Sequence, residues 1–522
     1  MTAAYDVIVA GGGHNGLVAA EYLARAGRRV LVLEKRAIVG GAVTTEEIAP
    51  GFRGSPSSSR VGLLQPEIIE DLNLRGRGVQ FLPIEPEVVA LGDRTALPIW
   101  RDPQATSREL AASSPRDASA YPKFVEMLSH LADAWDPFRN KTPPDLAALG
   151  IADGMTLVRR ALALRRLGKR TMQQLLRVPP MPVRDVLNEW FETELLKASL
   201  AADALIGTFQ GPFSPGTAFG LIRHFLPSVR RSGWAFVRGG SGNLSNAIAQ
   251  AAKDAGATIR TDAEVTRIRS AAGRITGVEL AGGETIGARI VASNADPKRT
   301  LLHLVAPEEL SPEFLVQVRN LEMTGVVAAV NFALDGAPRL AATGHSVPPH
   351  VRVCPSLEYL ERAYDDAKYG KASTRPFLDV FVPSVIDPDL APPGKHVMST
   401  LFQYAPYELR GGGWETEGEN LADRVVEILE THMPGFEQLV VHREVLTPRT
   451  LEARFGLTEG HIYHGDMTLN QSLVLRPVPG WSQYRMPIEG LYLCGSGAHP
   501  GGGISGTPGY NAARQILKDW PR

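Results

Sequence analysis

The apolar positions of this chain change period within its first forty residues. Residues 5–9 (YDVIV) and 30–33 (VLVL) are short apolar runs of the kind that form buried strands, and between them Ala19, Ala20, Leu23 and Ala26 recur at helical spacing. Strand, helix and strand in that order predict the opening unit of a nucleotide-binding sheet. A second group of strand patterns lies near 234–237, 257–260, 264–269, 275–280 and 289–292. It is interrupted by GGSGN at 239–243 and a helix over 244–255, and it reads as a return to the first sheet. A third piece, LYLCGSG at 491–497, passes through a glycine-rich loop into a helix from about Thr507 to Lys518. Together these pieces predict an α/β fold in which 1–75, 233–299 and 456–522 build one discontinuous cofactor domain. The stretches between them, 76–232 and 300–455, are richer in helix signals, proline and aromatic residues, and are assigned to an inserted α+β substrate domain.

Composition narrows this picture. With 522 residues the chain exceeds what one hydrophobic core organises, and 44% hydrophobic with 21% charged residues is an ordinary globular balance. A formal net charge of -1 gives no reason to expect a nucleic-acid partner. The two cysteines, Cys354 and Cys494, are too far apart for a CxxC redox pair or a metal knuckle, and they exclude a disulfide framework. No secretory or transit pattern precedes the first strand, so the expected location is cytoplasmic. The longest apolar runs fall short of the roughly 20 residues that span a bilayer, so membrane contact is expected, if at all, from one face.

The chemistry is carried by glycine. Gly11-Gly12-Gly13-His14-Asn15-Gly16 fits G-x-G-x-x-G directly after a strand and before a helix. Gly11 permits the turn, Gly13 lets the backbone approach a pyrophosphate, Gly16 allows close helix packing, and His14 and Asn15 open the helix whose amides face the phosphates. Glu34, with Lys35 beside it, ends the second strand 18 residues after Gly16, where a carboxylate accepts hydrogen bonds from ribose hydroxyls and disfavours a 2'-phosphate. Gly40, Gly41 and Ala42 follow. At the other end, GSGAHPGGGISGTPG over 495–509 offers exposed amides before a helix, suited to stabilising negative charge on a reduced isoalloxazine. Gly495, Gly502, Gly503 and Gly506 are the expected contacts there. FAD is therefore the expected cofactor. GGSGN has Ser245 where a last fingerprint glycine belongs, so no separate NAD(P)H domain is expected.

These motifs carry a specific resemblance. VIVAGGGHNGL, VLVLEKRAIVGGA, GGSGNLSNAIAQAAKDAGATI, VASNADP and GHIYHGDMTLNQSLVLRPVPGW, with the glycine-rich closing segment, resemble the phytoene-desaturase-related branch of the FAD-dependent amine oxidase superfamily across nearly the whole chain. Within it the likeness is to flavoproteins named for pyridine nucleotide-disulphide chemistry, although the chain has no CxxC pair. The resemblance implies a glutathione-reductase-type FAD-binding Rossmann domain, with the backbone of Val265 in TDAEVTRI holding the adenine. It also implies a long apolar substrate, because the branch includes carotenoid desaturases, carotenoid isomerases and retinol saturases.

Other polar and basic residues have plainer roles. His461, Tyr463, His464 and Asp466 offer no third ligand at useful spacing, so no metal is expected and structural hydrogen bonding is the reading. His499 is expected to contact the flavin ring. The stretch 155–177 holds seven basic and no acidic residues, with Leu157, Ala161, Leu164, Met172 and Leu175 near one helical face. It fits a peripheral membrane contact, a solvated cationic face or a homo-oligomer contact. The leading function is hydride removal from, or isomerisation of, an apolar polyene or lipid-like small molecule, with no catalytic residue named. Amine oxidation and a low-turnover FAD-binding regulatory protein are the alternatives.

Overall fold

The structure, a computed structural model, describes residues 5–144, 168–229 and 233–520 and, between them, positions 154, 155, 158, 162 and 165. Strand β1 (Tyr5–Ala10), helix α1 (His14–Arg25) and strand β2 (Val30–Leu33) form the opening unit. Val7, Ile8 and Val9 are wholly buried, so the run is apolar without alternation, as in a parallel strand covered on both faces.

β1 pairs in parallel with β2 on one side and with the strand Thr285–Ser293 on the other. Thr258–Arg260 extends the sheet beyond β2, and Leu491–Leu493 extends it beyond Thr285–Ser293. Across the parallel sheet the strands thus lie third, second, first, fourth and fifth in chain order, reversing direction at β1. In open α/β sheets such a reversal leaves a crevice at the carboxyl ends of the strands. Val265–Ala271 and Arg274–Leu280 add an antiparallel meander onto the first half of Thr285–Ser293. The closing helix Thr507–Asp519 packs on α1, where Gly509 lies against the Asn15 carbonyl with no room for a Cβ.

The second sheet runs, in order, Val440–Leu446, Val327–Leu334, His396–Gln403, Phe377–Phe381, His350–Val353, Val88–Leu91 and Ala96–Ile99. Period-2 alternation divides its faces. Val330, Phe332, Val351, Leu378, Val380 and Phe402 pack with Leu421, Val425 and Leu429 of the helix Trp414–His432. The opposite parity puts His350, Arg352, Asp379, Phe381 and Leu401 on the face that turns towards the first sheet. A further helical core, from Pro115–Arg139, Glu194–Leu205 and Ala218–Val229, closes that side.

Two expectations need correction. Ala235–Val237 does not join the first sheet, because its partners are Phe81–Pro83 and Val61. The boundary at 299 falls too early: Leu301, Val305, Leu310, Phe314 and Val318 belong to the first sheet's core, and Phe314 meets Trp481 edge-on at 5.4 Å. Their apolar positions recur every four or five residues, which a helical substrate domain shares. As for 155–177, Leu157, Ala161 and Leu164 lie outside the described residues; Met155, Val158 and Leu162 are exposed, and the helix Gly168–Arg177 buries no side chain. No helix among the described residues is long and apolar enough to cross a membrane.

Candidate active site

A single cleft of about 1880 Å³, its mouth included, runs from the carboxyl ends of β1 and β2 to the polar face of the second sheet. At its first end Glu34 is nearly buried, and its two carboxylate oxygens accept the N–H groups of Gly12 at 2.8 Å and Arg36 at 2.9 Å. These bonds hold the carboxylate on the wall with lone pairs left for hydroxyl donors. Gly13 caps α1 without any side-chain acceptor, so the first-turn amides are left for a ligand. Gly40 donates to the Gly12 carbonyl at 2.8 Å and lays Gly40, Gly41 and Ala42 along the same wall. Gly41 has φ +61°, and a Cβ there would stand 3.2 Å from Gly13 Cα. Lys35 and Val265 complete this end, joined by Arg36, from the VLVLEKRAIVGGA motif, and by Arg299. Burial, then Arg299, lowers the Lys35 pKa.

The predicted residues divide into two groups. Gly11, Gly13, His14, Asn15, Glu34, Lys35, Gly40, Gly41, Ala42, Val265 and Gly503 line the cleft. Gly16, Gly495, Gly502 and Gly506 stand behind its wall, where a side chain would run into the Gly11 carbonyl, the Asn294 carbonyl, Tyr463 and Ile68 respectively. They shape the surface, and Ser496 and Ile504 form it instead. Asn15 Nδ2 donates to Ser496 Oγ at 3.1 Å, tying the first glycine turn to the last.

His499 is not on the cleft. It is fully buried with Nε2 3.1 Å from the Phe138 carbonyl, and burial pushes its pKa down to about 3. The rigid loop that displays glycine backbone to the cleft directs this ring to the helical core behind. His461 is structural: Nδ1 accepts the Tyr463 N–H at 3.1 Å, which leaves Nε2 as the donor to Asp466 at 2.6 Å. Tyr463 and His464 do reach the wall. Arg476, buried behind them, donates to the carbonyls of Tyr463, His464, Gly465, Asp466 and Ser496, clamping the two loops together. Burial lowers its pKa to about 9, so it stays charged at neutral pH. Among the described residues no group of three or more His, Cys, Asp or Glu could hold a metal ion. GGSGN packs on the neighbouring loop: Gly242 N–H donates to Thr45 Oγ1 at 2.9 Å and Ser245 Oγ to the Val43 carbonyl at 2.7 Å.

Unsatisfied atoms test the fit of a cofactor. His14 Nε2, Asn15 Oδ1 and His464 Nδ1 are buried without partners, and burial pushes both histidines down to about 4, so both rings are neutral. Buried polar groups are rarely left unpaired. Together with the uncapped α1 amides and the Glu34 carboxylate, they suit a ligand with phosphates, ribose hydroxyls and a polar heteroaromatic ring. FAD has that donor and acceptor set.

The far end lies in the second domain and was missed by sequence reasoning. Arg60, His224, Trp234, Asp379 and Phe381 line it, and Arg223 lines the cleft beside Tyr463. Asp379 Oδ1 accepts from Arg352 Nε at 2.9 Å and lies 2.7 Å from His350 Nε2, while Arg352 also reaches Asp203 at 2.7 Å. His224 pairs with Asp203 at 3.0 Å, yet burial lowers the pKa of both His224 and His350. Despite desolvation, Arg352 and His350 hold Asp379 well below the usual carboxylate range.

The model for flavin containing amine oxidoreductases matches residues 16–517. The chain belongs to this family. It is 40% identical, over 99% of its length and 94% of the relative's, to the rat (Rattus norvegicus) pyridine nucleotide-disulfide oxidoreductase domain-containing protein 2. It is 28% identical to a lycopene-forming phytoene desaturase of Pseudescherichia vulneris, over 96% of both chains. The fold matches that of putrescine oxidase solved with putrescine bound, at a TM-score of 0.62 and 14% identity, covering 99% of this chain and 98% of that one. The protein is accordingly an FAD-dependent oxidoreductase with a Rossmann-type FAD domain and a substrate domain.

Proposed function

We propose that the enzyme removes a hydride equivalent from, or isomerises, a polyene or lipid-like substrate held between the two sheets. The observation that carries this reading is the apolar part of the cleft wall, made by Leu63, Ile206, Leu401 and Ile462. Such a surface favours an elongated apolar chain through burial of its hydrocarbon. The chemistry FAD supplies when bound is acceptance of the hydride equivalent. Glu34, the α1 amides and Gly40–Ala42 would hold its nucleotide half, while His14, His464 and the loop at Ser496–Ile504 would border its ring. Asp379 is a poor base because its charge is already stabilised by Arg352 and His350. The chain's part is therefore to orient the substrate and exclude water.

Amine oxidation is the reading that the putrescine oxidase likeness favours. It meets an obstacle here: the Arg60 guanidinium lies 4.4 Å from the Trp234 ring centre and 5.3 Å from that of Phe381. The aromatic faces an ammonium would need already hold a cation. The test is anaerobic mixing of the yellow protein with polyenes, retinoids, fatty-acyl lipids and amines while the visible flavin band is followed. Bleaching by one of the first three supports the proposal. Bleaching by amines alone replaces it with amine oxidation, and a flavin untouched by all four removes hydride transfer from it.

A further inference from the structure

One charged group in the cleft has no counter-charge. Arg223, on the helix Ala218–Val229, is only 8% exposed, and its contact is with the Tyr463 ring, whose centre lies 4.7 Å from the guanidinium carbon. Among the described residues it makes no hydrogen bond and no ion pair, and its Nε is buried without a partner. Arg60, which lines the same cleft, is half-satisfied, 3.6 Å from Asp379 Oδ2, an oxygen that itself lacks a hydrogen bond. Arg60 and Arg352 take up the two carboxylates of this group, Asp379 and Asp203, and Arg223 pairs with neither. The next carboxyl, Glu87, is turned to Arg101 at 3.7 Å. Neither His224 nor His350 can supply a negative charge, since an imidazole is neutral or cationic. The positive charge of Arg223 is left over, on the wall of the cleft beside Tyr463.

A buried cation without a partner is costly, and natural sites keep one where a ligand supplies the counter-charge. A guanidinium is planar and presents a fork of N–H donors, which matches a carboxylate better than a spherical or neutral group. Building on the apolar-chain reading above, we infer that the substrate is an amphiphilic monoanion, a long-chain or polyene carboxylate, whose carboxylate is bound by Arg223. The apolar tail then lies along Ile206, Leu401 and Ile462, and the charge at the end fixes which carbon faces the reacting ring.

The test uses the FAD-loaded enzyme and two matched pairs, all-trans-retinoate with its methyl ester and oleate with its methyl ester, titrated anaerobically against the visible flavin spectrum. Each acid is expected to bind at least about tenfold more tightly than its ester. Arg223→Met is expected to abolish that preference while retaining FAD, and Arg223→Lys to restore part of it. The wild-type comparison stands alone if the methionine variant does not fold. Equal binding of acid and ester, or an acid preference that survives Arg223→Met, overturns the anion site but leaves the apolar-chain reading in place. If neither acid nor ester binds, both fall. Loss of FAD from a folded Arg223→Met protein also overturns the inference, by giving the arginine to the cofactor.

Discussion

At the scale of single residues, the site works by withholding charge as much as by supplying it. The imidazoles of His14, His464 and His499 are all neutral because burial outweighs their nearby acceptors. His499 gives the cleanest consequence, since it lies behind the loop and away from the ligand. Its pKa falls from 6.5 to about 3 on folding. A depressed folded value means stability that is fully present above pH 6.5 and is lost as pH falls towards 3. The free energy of urea unfolding should therefore decrease with falling pH in that window. His499→Asn should flatten the slope by up to about 1.4 kcal/mol per pH unit, one proton's worth. Unfolding curves at a series of pH values measure this, and an unchanged slope in the variant would show that His499 protonates as easily folded as unfolded.

At the scale of elements, the decisive device is the clamp that Arg476 makes between the 463–466 turn and Ser496. Six carbonyls, that of Gln471 included, depend on one guanidinium. Arg476→Met should cost on the order of 3–5 kcal/mol, as breaking a buried charged network does. Arg476→Lys should not rescue it, because an ammonium has three donors and no fork. Denaturation free energy and the FAD-to-protein absorbance ratio should fall together, and a variant that kept both would show that the two loops hold themselves. The elements of the first sheet were legible in the sequence because their signals are local: a strand, a glycine turn, a helix and Glu34 at the end of β2. The second domain's part of the site was not. His350, Arg352 and Asp379 alternate with Val351, Val353, Leu378 and Val380, which reads as a half-exposed strand until the helical core is seen to cover that face. Arg223 and Arg60 come from distant segments, and no spacing links them. Glycines 16, 495, 502 and 506 were recognised by type, but whether such a residue touches a ligand or supports the wall depends on packing.

At the scale of the whole molecule, the cleft is walled by residues from Ala10 to Ile504 and by both sheets. FAD bound there stabilises the assembled state and has no comparable site on the unfolded chain. Removing it should lower the melting temperature, and adding it back at about a hundred times its dissociation constant should restore about 2.7 kcal/mol. Calorimetry of the apoprotein at a series of FAD concentrations tests this. A melting temperature independent of FAD would mean that the two domains do not share it.

The same threading has a consequence for how the protein is made. The strand Thr285–Ser293 receives Leu491–Leu493 as its neighbour, and α1, already packed against the helix Gly242–Asp254, receives its second covering helix, Thr507–Asp519, only from the last part of the chain. At a translation rate of roughly 5–20 residues per second, β1 waits on the order of half a minute or longer for these pieces to leave the ribosome. Throughout that interval the growing chain carries an open strand edge and an uncovered apolar helix face, both ready templates for clumping with other nascent chains. A shortage of chaperone should therefore be felt in the yield of this enzyme before it is felt in its chemistry.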